Sequence, residues 1–329
     1  MKWSFFKTVL LLTALAAVLT VLSTFRGLQV QPDAGPPSAS VDLQPDENEE
    51  EESAEAAPSS ETWIILLAFQ RSGTHYLTQE LSRHPCMYVA GEILLAPGLK
   101  EDWWSPQKRR AGIKTFYNIS LSAEEKTLEL PEVSAQWASE SSKALAEGKM
   151  IRGFNWKVSQ GFLQDLPWIE EFIATHQVRL IWLQRRNMLR RYLSMQSNRR
   201  FFVAATTDKS EASRIKKEKI PIPVEKMLKD FKAREAEVKQ LHHFFKTLES
   251  KGHHVLQVTY EDLSASMDTI RAWAVNGVTA CRVSGDSVRG DDKDGYQKLH
   301  PGNVSDMVEN WKEVTAALKR TKWEWMLYS

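Results

Sequence analysis

Net charge is nearly absent from this chain. Its 43 Lys and Arg against 42 Asp and Glu leave +1 over 329 residues, so nothing calls for nucleic acid or another bulk polyelectrolyte as partner. Cysteine is nearly absent too, with Cys86 and Cys281 the only two. No group of His, Cys and Asp has metal-ligand spacing, so no metal is implied. No internal repeat is visible. What is present is 42% hydrophobic residues, enough to bury a sizeable core as one large domain or two small ones.

The long apolar run spans residues 8–25. It carries no charge, follows Lys2 and Lys7, precedes Arg26, and is long enough to cross a bilayer with little slack. Lysines on the short N-terminal side keep that side cytoplasmic. A cleaved signal peptide competes with this reading, but no small-x-small cleavage site stands clearly after the run. The segment that follows is rich in Pro, Ser, Ala and acid, including Asp46, Glu47 and Glu49 to Glu52. Such a composition cannot offset its ordering entropy, which predicts a flexible, self-repelling stem. The expected organisation is a cytoplasmic tail (1–7), a transmembrane signal anchor (8–25), a disordered stem (26–61) and a lumenal domain (62–329). That describes a single-pass type II membrane protein. In an oxidising lumen Cys86 and Cys281 either pair or stay separate buried thiols, and both readings remain open. Asn118-Ile119-Ser120 and Asn303-Val304-Ser305 match the glycosylation sequon.

Within the lumenal part, apolar runs predict strands at 63–68, 87–90, 150–158, 178–183 and 255–259. Helices are predicted at 74–82, 131–146, 167–176, 187–197 and 305–318. The first of these ends at Arg83-His84-Pro85, because the residue before proline is disfavoured in helix. Val224, Met227, Leu228, Phe231, Val238, Leu241, Phe245 and Leu248 mark the core face of a long amphipathic helix closed by Lys251-Gly252. Residues 209–219 read as a charged loop, and 94–148 as an insertion shaping an acceptor site. Strands alternating with helices predict an α/β fold, P-loop-like and three-layered, with a central parallel sheet flanked by helices.

The stretch at 69–77 joins the first strand to the first helix. Backbone N–H groups left unpaired at a helix start attract phosphate or sulfate. Here Arg71 adds a positive fork, Ser72 and Thr74 add hydroxyls, and Gly73 permits close backbone approach. An ordinary N-capped turn has the same local sequence. Further on, Arg186 ends a strand and Ser194 lies about two helical turns later. A guanidinium and a hydroxyl so spaced can close on a second phosphate, although a solvated basic helix face has the same appearance.

Taken together, these stretches resemble sulfotransferases. Arg71-Ser72-Gly73-Thr74 is similar to their 5′-phosphosulfate loop, and Arg186-Asn187 followed by Ser194 to their 3′-phosphate site. Tyr260-Glu261-Asp262-Leu263 is similar to another recurrent segment. With His84-Pro85 and Gly91-Glu92 added, the pattern resembles the membrane-bound Golgi enzymes, the tyrosylprotein type included. Around Arg185 to Ser194 it is closer to bacterial-type carbohydrate sulfotransferases. The chain departs from cytosolic members in having Arg71 for Lys, His75 for a small residue and Met188 for Pro. Arg289-Gly290 or Lys298 are the only stand-ins for a Gly-rich C-terminal motif.

The resemblance implies transfer of a sulfuryl group from 3′-phosphoadenosine-5′-phosphosulfate, without a metal, in the Golgi membrane. The acceptor would be a carbohydrate hydroxyl or, alternatively, a protein tyrosine. Glu92 would be the general base, with Arg71, His75 and Lys157 as further catalytic contacts. Arg71, Ser72, Gly73, Thr74, His75, Tyr76, Arg186 and Ser194 would bind the nucleotide. Trp103, Trp104 and Lys108 to Arg110 hint at an acidic glycan. A P-loop kinase is disfavoured because the turn lacks Gly-Lys-Ser/Thr. A membrane-tethered glycan-binding protein would use some of the 12 Trp but leaves both anion sites unexplained.

Overall fold

An apolar run without a polar break makes Thr62–Ala68 a strand, β1, buried on both faces at the centre of the sheet. The computed structural model describes residues 61–95, 105–201, 209–278, 281 and 302–329. The tail, the anchor and the stem up to residue 60 lie outside that set, as do Trp103, Trp104, Arg289, Gly290 and Lys298. Among the described residues no helix is long and apolar enough to cross a membrane.

After β1 come α1 (Thr74–Ser82), β2 (Met87–Ala90), α2 (Pro106–Phe116), α3 (Glu132–Ala146), β3 (Ile151–Lys157) and α4 (Leu166–His176). Then follow β4 (Arg179–Gln184), α5 (Met188–Phe201), α6 (Lys209–Lys217), α7 (Val224–Ser250), β5 (Val255–Thr259), α8 (Met267–Val275), α9 (Val304–Met307) and α10 (Trp311–Leu318). The described strands form one five-stranded sheet in the order β2-β3-β1-β4-β5, every neighbouring pair parallel. The expected fold class is therefore the observed one. Because every strand runs parallel to its neighbours, the turns after β1, β2, β3, β4 and β5 all open at one edge of the sheet. Open parallel sheets bind ligands at that edge.

Alternation along the strands builds the two outer layers. Ile65 and Leu67 of β1, Phe154 and Trp156 of β3 and Trp182 of β4 face one side, with Phe116, Phe172, Leu241 and Phe245 from α2, α4 and α7. Ile64, Leu66 and Ala68, with Ile181 and Leu183, face the other, covered by Leu77 and Leu81 of α1 and by Met267, Ile270 and Ala274 of α8. The expected stripe on α7 is core: its C-terminal half joins the first layer, while Met227 and Phe231 join a third cluster with Leu189, Leu193, Val314 and Leu318.

The central pair β1–β3 leaves no room beside Gly153. A Cβ there would lie 2.6 Å from the Ile64 carbonyl oxygen, a backbone atom that cannot rotate away. Gly153→Ala is expected to cost about 1–3 kcal/mol, read as a lowered Tm in thermal denaturation.

Two expectations are corrected, and two helices appear that were not expected. The segment 94–148 contains helix α2, started by Pro106 at its first position and by the Ser105 hydroxyl accepting from the Lys108 N–H at 3.3 Å. Its basic residues obscured the pattern. Residues 209–217 are the helix α6 rather than a loop, with Ile215 buried on it. The final helix is two pieces, α9 and α10, because Val308 forms a bridge with Ile220 and the Asn310 side chain bonds both backbone groups of Ile222. Helix α8, not foreseen at all, supplies half of one layer.

Candidate functional site

The loop between β1 and α1 holds two residues in the left-handed region, Arg71 at φ 67° and Gly73 at φ 86°. For arginine this conformation costs about 1–2 kcal/mol, and the surroundings hold it. The buried Arg185 guanidinium donates through Nη1 to the Arg71 carbonyl at 3.2 Å. Glycine is required at 73, where a Cβ would sit 2.4 Å from the Tyr260 ring. Tyr260 in turn carries Arg185 over its face, 4.4 Å from the ring centroid. Gly73 caps α1 without any side-chain hydrogen bond to the helix start, and the fully buried Ser72 hydroxyl has no partner among the described residues. A buried donor left unmatched is costly, and here it lies in a turn built to receive an acceptor.

Below the loop lies a buried cation. Lys157, the last residue of β3, is 2% exposed, and its Nζ donates to Thr74 Oγ1 at 2.5 Å and to Asn155 Oδ1 at 3.2 Å. Glu92, just past the end of β2, places Oε1 3.5 Å from the same Nζ. Burial pushes the Lys157 pKa down to about 8, against the opposing pull of Glu92 and with help from Arg71. The second Glu92 oxygen accepts from Gln160 Nε2 at 3.2 Å, while Gln160 Oε1 accepts from the Lys157 N–H at 2.9 Å. That backbone bond fixes which end of the Gln160 amide faces Glu92, so both carboxylate oxygens are oriented.

Arg71 completes the cluster. Its Nε donates to Ser194 Oγ at 3.0 Å, and desolvation lowers its pKa against the charges of Glu92 and Tyr260. His75, in the first turn of α1, has its pKa lowered by desolvation and by the neighbouring Lys157 charge. It is therefore a neutral imidazole at pH 7. Arg71, Thr74, His75, Glu92, Lys157 and Ser194 thus meet at one strand edge.

Two of the residues expected here stand elsewhere. Arg186 is half exposed and turned to Asp262 at 3.3 Å and Glu261 at 3.8 Å, while Ser194 bonds to Arg71 and not to Arg186. Tyr76 packs its ring against the apolar layer under α1. The segment at 260–263 supports the fold directly, since Glu261 accepts from the backbone N–H groups of Arg186 and Asn187, at 3.1 and 3.0 Å, and so caps α5. The basic cluster at 108–110 is tied into the fold. Arg109 is buried under Gly161, and Arg110 pairs with Asp165 while lying over Trp168. Gln160, Asn155 and Arg185 were not among the expected site residues, and their only signal is position just before or after a strand end.

No known protein family and no curated protein matches the chain. Among solved structures, the chain is similar to one titled the sulfotransferase domain from the Synechococcus PCC 7002 olefin synthase. Identity is 15%, the match covers 78% of this chain and 89% of that one, and the TM-score is 0.34. The side chains of this protein carry the functional reading that follows.

Proposed function

We propose that the cleft binds 3′-phosphoadenosine-5′-phosphosulfate and transfers its sulfuryl group to an acceptor hydroxyl, most readily that of a carbohydrate. One observation carries the reading: a buried lysine, an arginine held in a left-handed turn and an unmatched buried hydroxyl converge on a helix start, with an oriented carboxylate within ion-pair reach of the lysine. The donor set fits a phosphosulfate, because Lys157 and Arg71 supply positive charge while Ser72, Thr74 and the loop N–H groups supply neutral donors. When bound, the donor supplies an activated sulfuryl group and a phosphate leaving group.

The chain's own residues then divide the work. Lys157 and Arg71 stabilise negative charge growing at the loop, in a site where charges act at low dielectric. Glu92, oriented by Lys157 and Gln160, accepts the acceptor's hydroxyl proton on a carboxylate oxygen. His75, neutral and at the mouth of the loop, offers a hydrogen bond to the transferred group. Arg186 and Ser194 serve the 3′-phosphate in this reading, which requires Arg186 to exchange its carboxylate partners for the ligand. A protein tyrosine remains the second acceptor class. The apolar run at 8–25 and the acidic stretch after it support an anchored, lumenal enzyme of the Golgi membrane.

The test is labelled-sulfate transfer from the donor to a panel of glycans and tyrosine peptides, with nucleotide binding measured by calorimetry. Arg186→Ala is expected to weaken binding of the 3′-phosphorylated nucleotide by about 10- to 100-fold and to leave the analogue lacking that phosphate unaffected. Equal wild-type affinity for the two nucleotides would remove the second site.

A further inference from the structure

We propose that Cys86 and Cys281 are oxidised to an intramolecular disulfide that straps the start of β2 to the chain just beyond α8. The two cysteines lie near opposite ends of the domain's sequence, yet both are buried in the same apolar layer, each 7% exposed, with Leu81, Met87, Ile270 and Ala274 around them. Burial and the neighbouring Cys86 thiol together raise the Cys281 pKa, and both cysteines stand as free thiols in the structure. No third cysteine competes for either.

Each backbone is held by hydrogen bonds. The Cys86 carbonyl accepts from the Ile151 N–H at 2.9 Å, and its own N–H donates to His84 Nδ1 at 3.2 Å. The Cys281 N–H donates to the Val278 carbonyl at 3.0 Å. A cysteine pair that merely filled space would place two thiols in one layer. Neighbouring thiols on two pinned backbones in one layer are in addition placed to form one S–S bond.

The step balances as a thiol–disulfide exchange. The two thiols together lose two protons and two electrons and form one S–S bond. The oxidant is a disulfide, either glutathione disulfide or a protein disulfide, whose S–S bond breaks to give two thiols. One of the two thiolates attacks the oxidant and forms a mixed disulfide, releasing one thiol. The other cysteine's sulfur then loses its proton and displaces the second thiol from the mixed disulfide. Both sulfurs are out of solvent once the layer has packed, so the bond closes during folding and is afterwards shielded from reductant.

The strap bears on the cleft through β2, whose far end leads to Gly91 and Glu92, and it does not depend on the chemistry performed there. The full chain, made in a eukaryotic secretory host and lysed in N-ethylmaleimide, is denatured and weighed intact. The expected result is a mass lighter by two hydrogens than the reduced chain, with no adducts until reductant is added and two afterwards. Two adducts without reductant overturn the proposal, and so does a disulfide-linked dimer. Wild-type protein reduced, refolded and kept reduced is expected to melt roughly 5–10 °C below the oxidised form, and equal melting temperatures overturn the strap.

Discussion

Lys157→Met is expected to weaken donor binding by about a hundredfold or more, the range in which removal of one buried charged partner falls, about 3 kcal/mol. Calorimetric titration with the 3′-phosphorylated nucleotide at pH 7 reads it directly. The protonated Nζ is the form that attracts an anion, and its pKa is about 8. Wild-type affinity should therefore fall above about pH 8, by up to tenfold per pH unit, whereas Lys157→Met should bind weakly and without that decline. The stability effect has the opposite sign. Because the folded pKa lies below the ordinary 10.5, the unfolded chain holds more protons between about pH 8 and 10.5, and wild-type stability rises with pH across that window. Below pH 8 both states are protonated and the burial penalty is fully present. Replacing the cation by a methionine of similar length removes that penalty, so Tm at pH 7 should hold or rise. Unchanged affinity would take Lys157 out of the donor site.

The parts of this site that were legible in the sequence are those made by neighbours along the chain. Arg71 to Thr74 follow an apolar run and open a helix, so the turn and its anion-receiving N–H groups follow from local rules. Glu92 and Lys157 were readable only as residues at strand ends; that they face each other at 3.5 Å depends on β2 and β3 being paired in parallel, with Gly91 accepting from the Asn155 N–H. Gln160 could not be found that way at all. Its amide reaches a carboxylate 68 positions away, and a glutamine in a tight turn carries no pattern. Arg185 and Arg186 show the converse limit. Consecutive residues at a strand end point to opposite sides, and the sequence does not say which one turns inward. The structure puts Arg185 under the loop and Arg186 at the surface. Arg109 and Arg110 hinted at an acidic glycan because nothing local reveals Asp165 or the close approach of Gly161.

The fold was more legible than the site for the same physical reason. A strand buried on both faces, such as β1 or β4, must be continuously apolar whatever packs on it, and α7 needs its stripe wherever it lies. Missed elements were short or atypical. Helix α2 hides its buried residues Ala111, Ile113 and Phe116 among lysines and arginines, and α8 follows directly on the capping turn at 260–263.

Glu92→Gln separates chemistry from binding, which Lys157→Met does not. Loss of the general base is expected to lower kcat by about 10²- to 10⁴-fold, measured as labelled-sulfate transfer at saturating donor and acceptor. Donor affinity should be retained at pH 6.5, where Lys157 is still charged. The charge on Glu92 is, however, the largest influence raising the Lys157 pKa, so its removal lets burial depress that pKa further. The alkaline limit of donor binding should then move below pH 8, a shift that a carboxylate acting only as a distant base would not cause. The two variants therefore make a crossed pattern: Lys157→Met lowers affinity wherever the wild-type lysine is charged, while Glu92→Gln lowers turnover and moves a pH limit. Unchanged turnover would remove Glu92 from the base role. Equal losses of affinity in both variants at pH 6.5 would instead make the Glu92–Lys157 pair a structural support for the loop, with the proton accepted elsewhere.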